Sequence, residues 1–379
     1  MRVCSLASVK NRIVLGEPLP FSVRDAGRML LLARGQIIAN EAQLDELFQR
    51  GALVEVEELA RAIQQPARPS RPARRSMAEL PAAWDQAGGD VRRALGARPE
   101  QLAAAVRSST DLLMSLIDSA PNVALAQVVR QPEGGAGHYG VDHSIHAATA
   151  CHAAARYLGW DVAAQRRAFQ AALTMNLGML DLQAKLATQV SPLTALQREQ
   201  IHQHPIRSAE MLAEAGVEDA DWLEAVIQHH EVTGGSGYPR KLSDVGELAE
   251  MLRYADVYTA RLSARSNRPA MSAQQAGREL HQMAETSPLA AAVIKAFGIF
   301  PPGSVVRLAS GELGLVVGVG DKAHQPRVAA LTNAAGEPRL SPQLRDSARD
   351  DYAIVALLPA QALPMRLSEE QVAALVGSP

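Results

Sequence analysis

The sequence predicts a mainly α protein in which a central helical bundle lies between a small N-terminal α+β module and a small β-rich C-terminal appendix. Apolar residues recur with helical spacing across residues 96–300, whereas short β-like runs separated by glycines fill residues 1–58. After Pro301-Pro302-Gly303 the spacing changes to the alternation of strands, over residues 301–379. Residues 59–95 are predicted to be a linker.

The N-terminal module is predicted from three short β-like runs, Arg12 to Leu15, Met29 to Ala33 and Gln36 to Ile38, and from helical spacing over Glu41 to Arg50. The stretch from Gln64 to Ser76 contains proline and arginine without an apolar period, so it cannot build a core. Its arginines allow docking of a polyanion, but a solvated spacer is the preferred interpretation.

The bundle is predicted from segments in which apolar residues recur at i, i+3 and i+4. These segments are Gln101 to Ser119, Ser144 to Leu158, Val162 to Leu182, Pro205 to Ala215, Asp221 to His230, Gly246 to Ala264 and Ser272 to Glu285. The predicted strands of the appendix are Ser304 to Ala309, Leu313 to Gly318, Arg327 to Thr332 and Tyr352 to Leu358, followed by a helix over Ser368 to Val376.

Composition excludes several classes of function. Lys+Arg 38 against Asp+Glu 40 gives a net charge of -2, so no global field attracts the chain to nucleic acid or to an anionic membrane. No stretch approaches the roughly 20 apolar residues that span a bilayer. The two cysteines, Cys4 and Cys151, form no CxxC motif and favour a reducing compartment. We therefore expect a soluble cytoplasmic protein without membrane insertion.

Histidines cluster in the helical region and are the first candidates for metal ligands. His143 and His146 are three residues apart, so within a helix they share a face, with Asp142 as the predicted N-cap. His204 precedes Pro205, a residue suited to the first position of a helix, so we expect His204 at a helix N-terminus.

His229 and His230 end a predicted helix and diverge by about 100 degrees around its axis. They can hold one metal ion together or serve two sites. Asp256 lies at the margin of an apolar helical stripe, where a carboxylate is costly unless it is paired or bound to a metal. Together with His204, these residues favour a metal site over a set of ordinary core side chains.

A glycine-rich loop, Gly234 to Pro239, directly follows the two histidines. Glycines let backbone N–H groups approach a phosphate, and Tyr238 can stack on a base or bind a phosphate oxygen. A plain turn between helices is the alternative. The position of the loop directly after His229-His230-Glu231 favours a phosphate-handling pocket.

The motifs resemble those of the HD-GYP family, phosphodiesterases that hydrolyse cyclic di-GMP at a site with two or three metal ions. The resemblance spans about residues 141–297 and implies an HD-type helical bundle. The matching positions are His143-Ser144, His204-Pro205, His229-His230, Gly237-Tyr238-Pro239, Asp256, Arg265 and Arg268. It implies metal ligands at His143, His204, His229, His230 and Asp256, and ligand-binding residues at Gly237, Tyr238, Pro239, Arg265 and Arg268.

One motif of that family is lost. Met175 and Asn176 replace its histidine-aspartate pair and Met179 replaces its lysine, while Gly178 keeps the register. The missing aspartate would bridge two cations about 3.5 to 4 Å apart, and the neutral amide of Asn176 cannot offset their repulsion. At most one divalent ion, Fe, Mn or Zn, is expected, and none is the alternative.

Three functional hypotheses follow. The preferred one is a degenerate HD-GYP protein of cyclic di-GMP signalling, which binds the nucleotide or a partner such as a GGDEF-domain protein and has little or no phosphodiesterase activity. The second is an active phosphodiesterase with an altered mononuclear site. The third is a scaffold without any ligand, as in HDOD-like relatives. A homodimer is compatible with each.

Overall fold

The computed structural model describes residues 3–13, 15, 19–38, 40–58, 79–130, 139–266, 268–284, 286–320, 322 and 324–377. The chain divides into two compact units, Met1–Ala73 and Arg74–Pro379. The second unit contains every candidate site residue.

The N-terminal unit has a four-stranded antiparallel sheet with the order β1-β4-β2-β3. Its elements are β1 (Val3–Ser5), β2 (Val23–Arg24), β3 (Leu30–Leu32), α1 (Glu41–Gln49) and β4 (Leu53–Glu55). Its core includes Leu6, Phe21 and Ile38, each fully buried. The strand predicted over Arg12 to Leu15 is wrong at the described residues. Arg12 ends a 3-10 helix over Leu6–Arg12, capped by the Ser5 hydroxyl, and neither Ile13 nor Leu15 lies in a strand.

The second unit is built mainly from helices, as predicted. In chain order they are α2 (Leu80–Leu95), α3 (Pro99–Ser119), α4 (Pro121–Val129), α5 (Tyr139–Tyr157), α6 (Val162–Thr174), α7 (Leu180–Thr188), α8 (Ala195–Glu214), α9 (Ala220–Gln228), α10 (Glu247–Leu262), α11 (Ala273–Ala284) and α12 (Pro288–Phe297). Their apolar faces share one hydrophobic core.

The predicted linker ends earlier than expected. Residues 80–95 form α2, whose Ala87 and Val91 are fully buried in the core of the bundle. Two glycines in its middle weaken the helical signal in the sequence, and burial of its apolar face compensates for their low helix propensity. The first part of the predicted linker, residues 59–78, lies outside the described residues.

Two helix boundaries also differ from prediction. The helix predicted from Val162 to Leu182 is interrupted after Thr174, and a 3-10 turn over Leu177–Met179 separates α6 from α7. The helix predicted to begin at Pro205 begins at Ala195, because Thr194 and Gln197 form a capping box there.

The C-terminal strands form a five-stranded antiparallel sheet with the order β8-β7-β6-β5-β9. They are β5 (Val305–Leu308), β6 (Leu313–Gly318), β7 (Arg327–Thr332), β8 (Pro338–Asp346) and β9 (Ile354–Leu358), and α13 (Glu369–Gly377) follows. Leu315 and Val372 belong to the same core as the bundle, so the C-terminal sheet and α13 pack within the second unit.

The strand β8 was not predicted, because its residues are mostly exposed and rich in arginine and proline. Arg339 and Arg345 on β8 donate to the carboxylate of Glu312, which is only 3% exposed. Hydrogen bonds from Arg345, together with those from Ser310 and Arg339, lower the pKa of Glu312 to about 2 against the opposing effect of burial. This ion-pair network links the edge strand β8 to Glu312, the residue directly before β6.

Among the described residues, no single helix is both long enough and apolar enough to cross a membrane. Within that part of the chain, α3 and α4 taken together are long and apolar enough, but the two helices are bent by 106° at their junction.

Candidate functional site

The structure brings three of the five predicted metal ligands together. His204 lies within α8, His229 and His230 directly follow α9, and Asp256 lies in α10. The ligand atoms of His204, His229 and His230 all lie within 4.8 Å of one another. The two adjacent histidines thus converge on one point. The predicted position of His204 at a helix N-terminus is wrong, because α8 already begins at Ala195.

Hydrogen bonds to the backbone fix the orientation of two of these rings. Nδ1 of His204 lies 2.6 Å from the carbonyl oxygen of Ile201, and Nδ1 of His229 lies 2.6 Å from that of Val226. A carbonyl oxygen only accepts, so each Nδ1 donates and each neutral ring carries its lone pair on Nε2. The two Nε2 atoms face each other at 3.2 Å.

The three imidazoles are neutral at neutral pH. Burial, together with the neighbouring His229, lowers the pKa of His204 to about 3, and burial likewise lowers the pKa of His229 and His230. Neutral imidazole is the form that binds a metal ion. The uncharged rings can therefore bind a cation through their nitrogen lone pairs, whereas they carry no positive charge that would attract an anion.

His143 and Asp256 form a separate pair beside the cluster. His143 Nε2 lies 2.7 Å from Asp256 Oδ1, and a carboxylate only accepts, so the imidazole donates. Burial alone would raise the pKa of Asp256, but this hydrogen bond and the nearby imidazoles hold it well below its ordinary value. Asp142, the predicted N-cap before His143, instead lies inside the first turn of α5.

The ring of Tyr238 is already engaged. It stacks on His202 with centroids 4.5 Å apart and on His230 with centroids 4.6 Å apart. A base that stacked on Tyr238 would therefore have to displace the exposed imidazole of His202. His202 is one of the histidines of the helical region, but no role was predicted for it, since it lies outside every motif.

The loop that holds Tyr238 is organised by a buried carboxylate. Glu231 is 1% exposed and accepts hydrogen bonds from the backbone nitrogens of Arg240, Lys241 and Leu242. The predicted phosphate contacts from loop amides are not available at three positions, because the amides of Gly234, Gly235 and Tyr238 donate within the chain.

Gly237 is required by close approach of the backbone. A Cβ at this position would overlap the nitrogen of Val232 and lie 2.5 Å from Cα of Glu231. We expect Gly237→Ala to lower the free energy of unfolding by about 2 kcal/mol, because the loop must shift. Urea denaturation measures the free energy of unfolding. The control is Gly89→Ala in α2, where the nearest atom to the added Cβ is 3.6 Å away. Equal stability of both variants would contradict the close packing.

The two predicted ligand-binding arginines have different environments. Arg268 donates to the carbonyl oxygens of Ala260 and Ser263, at the end of α10. Arg265 donates from Nε to the hydroxyl of Tyr139 at 3.0 Å, and Tyr139 stacks on His143 with centroids 5.9 Å apart. Sequence reasoning missed Tyr139, although its i, i+4 spacing to His143 in α5 was a usable signal.

The turn that follows Met175 and Asn176 lies beside the histidine cluster. Gly178 donates from its backbone nitrogen to the Ser208 hydroxyl of α8, and a Cβ on Gly178 would lie 3.1 Å from the carbonyl oxygen of His204. Met175 is fully buried and Asn176 is 2% exposed. Nδ2 of Asn176 has no hydrogen-bond partner among the residues that the structure describes.

The cluster of His204, His229 and His230 fits one divalent ion. Two nitrogens that share a tetrahedral ion at 2.0–2.1 Å lie roughly 3.3 Å apart, close to the 3.2 Å between the two Nε2 atoms. Without a cation the two lone pairs would repel each other. Three imidazoles suit Zn, Fe or Mn, and bound metal would supply a Lewis acid.

Part of the chain is similar in sequence to known proteins. The sequence profile of the HD domain family matches residues 111–289. The cyclic di-GMP phosphodiesterase PA4108 of Pseudomonas aeruginosa is 30% identical over 246 residues, which cover 62% of this chain and 59% of that relative. The chain thus spans about three fifths of the relative's length.

Among solved structures, Bd1817, an HDG"Y"P protein from Bdellovibrio bacteriovorus, aligns with 78% of this chain and 97% of its own, at a TM-score of 0.47 and 15% identity. The predicted mainly α architecture is confirmed by the helices of the second unit, and the family profile covers the elements that carry the histidine cluster. The region that is similar to the HD domain family is therefore residues 111–289.

Proposed function

We propose that this chain is a degenerate HD-GYP protein of cyclic di-GMP signalling. In this proposal it binds the dinucleotide, or a protein partner such as a GGDEF-domain protein, and hydrolyses cyclic di-GMP little or not at all. His204, His229 and His230 hold a single divalent ion. The 30% identity to a cyclic di-GMP phosphodiesterase supports the choice of nucleotide.

One observation supports the proposed loss of hydrolysis. Asn176, a neutral and buried amide, lies in the turn beside His204 where the family resemblance places a bridging carboxylate. Hydrolysis by two metal ions requires a group that offsets their mutual repulsion at about 3.5–4 Å. The described residues offer only one group of three suitable ligands. The site is therefore proposed to keep recognition and to lose the second ion.

Arg265 is the proposed contact for a phosphate of the ligand. Its guanidinium lies over the ring of Tyr139 at 5.3 Å, and its Nε donates to the tyrosine hydroxyl. A guanidinium held at one edge presents its remaining donors in a fixed orientation, which suits a bidentate phosphate contact. Arg268 supports this role indirectly, because its backbone pairs with that of Arg265.

Calorimetric titration with cyclic di-GMP tests the proposal. We expect micromolar binding by the native chain and a loss of at least about tenfold in affinity for Arg265→Ala, since a charge-assisted pair contributes roughly 1.5–3 kcal/mol. Arg278→Ala, which removes an exposed arginine of α11, is the matched control and should bind like the native chain. Binding of neither cyclic di-GMP nor a GGDEF-domain protein at micromolar concentrations would contradict the proposal.

An active phosphodiesterase with a mononuclear site is the second candidate, and the convergence of the three imidazoles favours it. Three protein ligands leave a position open on one ion, which is the arrangement of many catalytic zinc sites. Conversion of cyclic di-GMP to the linear dinucleotide with Mn or Fe, abolished by His229→Ala, would establish this candidate. No turnover with any of these ions would exclude it.

A further inference from the structure

The helix α8 contains a proline in its interior, where proline is costly. Pro205 has no backbone N–H, so it cannot donate to the carbonyl oxygen of Ile201, its partner four residues earlier. An interior proline also clashes with the preceding turn and destabilises a helix. We therefore expect Pro205 to have a favourable role elsewhere in the structure that offsets this cost.

The carbonyl that Pro205 leaves free is the one that binds His204. Nδ1 of His204 donates to the oxygen of Ile201 at 2.6 Å. In an uninterrupted helix this oxygen would accept from the backbone N–H of residue 205. The proline thus removes the competing donor at the position where the imidazole needs an acceptor.

His229 obtains the same contact in a different way. Its Nδ1 donates to the carbonyl of Val226, also three residues earlier, at 2.6 Å. Because α9 ends at Gln228, Val226 is among the last residues whose carbonyls lack a helical partner. The end of α9 therefore supplies a free carbonyl for His229. His204 lies in the middle of α8, where no helix end supplies a free carbonyl.

We infer that Pro205 is a positioning residue for the metal site: by freeing the Ile201 carbonyl it holds His204 with Nδ1 protonated and Nε2 directed at His229. This inference rests on the metal-binding part of the proposed function. It assigns to the proline a role in ligand orientation beyond a kink in the helix. Partners of this kind fix the tautomer of a metal-binding histidine, and their loss typically costs 10–100-fold in metal affinity.

The first test is a competition titration of Pro205→Ala with Zn²⁺ against a chromophoric chelator. The alanine restores an N–H that competes for Ile201, so we expect zinc to bind about tenfold more weakly. The helix itself should be no less stable, because alanine is the better helix former. Pro288→Ala, at the first position of α12, is the control and should bind zinc like the native chain. A zinc affinity for Pro205→Ala within about twofold of the native value would overturn the inference.

The second test reads the tautomer directly in metal-free protein. Long-range ¹⁵N–¹H spectra of histidine-labelled chain, with His204 assigned through His204→Gln, should show the Nδ1–H form in the native chain and a growing Nε2–H form in Pro205→Ala. A native His204 in the Nε2–H form would overturn the inference, even if the variant failed to fold. Neither readout involves cyclic di-GMP, so a chain that shows both changes but binds no nucleotide would contradict only the proposed ligand.

Discussion

A Met175→His/Asn176→Asp variant is expected to bind a second divalent ion and to hydrolyse cyclic di-GMP at least about tenfold faster than the native chain. These two positions lie in the turn next to His204, and the native side chains are buried there. A carboxylate at position 176 would offset the repulsion of two ions, which the neutral amide cannot do. The native chain should bind one ion and turn over little or no substrate.

Stability provides an independent readout of the same variant. An unpaired carboxylate at a position that is 2% exposed is costly without metal. We therefore expect a lower melting temperature in chelator and recovery on addition of Mn²⁺, by mass action on the folded state. Met175→Leu/Asn176→Ala changes the same positions without adding ligands and should show no such recovery. One ion per chain and unchanged turnover in the first variant would show that this turn does not control the second ion.

Replacing His229 by alanine is expected to abolish tight metal binding, lowering the metal content of the purified chain from one ion to less than about a tenth of an ion. The variant leaves two imidazoles, fewer than the three protein ligands that an open metal site needs. It also removes one of the two Nε2 atoms that face each other at 3.2 Å. Metal analysis and the metal-induced rise in melting temperature measure the effect.

The control for this variant is His281→Ala, which removes an exposed imidazole of α11 and should keep the full metal content. Loss of metal from both variants would indicate binding at surface histidines. Retention of one ion by His229→Ala would contradict the assignment of the cluster. Because the native ring is fully buried, the variant also leaves a cavity, so its fold should be checked by circular dichroism.

Much of the fold followed from periodicity. The strand Arg327–Thr332 was predicted with both of its ends, because it is buried on both faces and bounded by turn residues. The helix α2 was missed because its signal depends on burial against the bundle rather than on its own composition. Similarly, β8 is exposed and charged, and only pairing with β7 makes it a strand.

The candidate site was predicted in its residue types but not in its contacts. Sequence motifs singled out His204, His229 and His230, and the structure brings these three together. The interior position of Pro205 was not foreseen, because proline statistics favour the first turn of a helix. The stacking of Tyr238 on His202 depends on how two distant segments pack, which no local pattern encodes.

Metal stoichiometry tests the central claim most directly, namely that three imidazoles hold one ion where the bridging carboxylate has been lost. Elemental analysis of chain purified without added metal, and again after saturation with Mn²⁺ and removal of excess ion, gives this number. The cluster of His204, His229 and His230 predicts one ion per chain under both conditions. Two ions per chain, or none after saturation, would contradict the account.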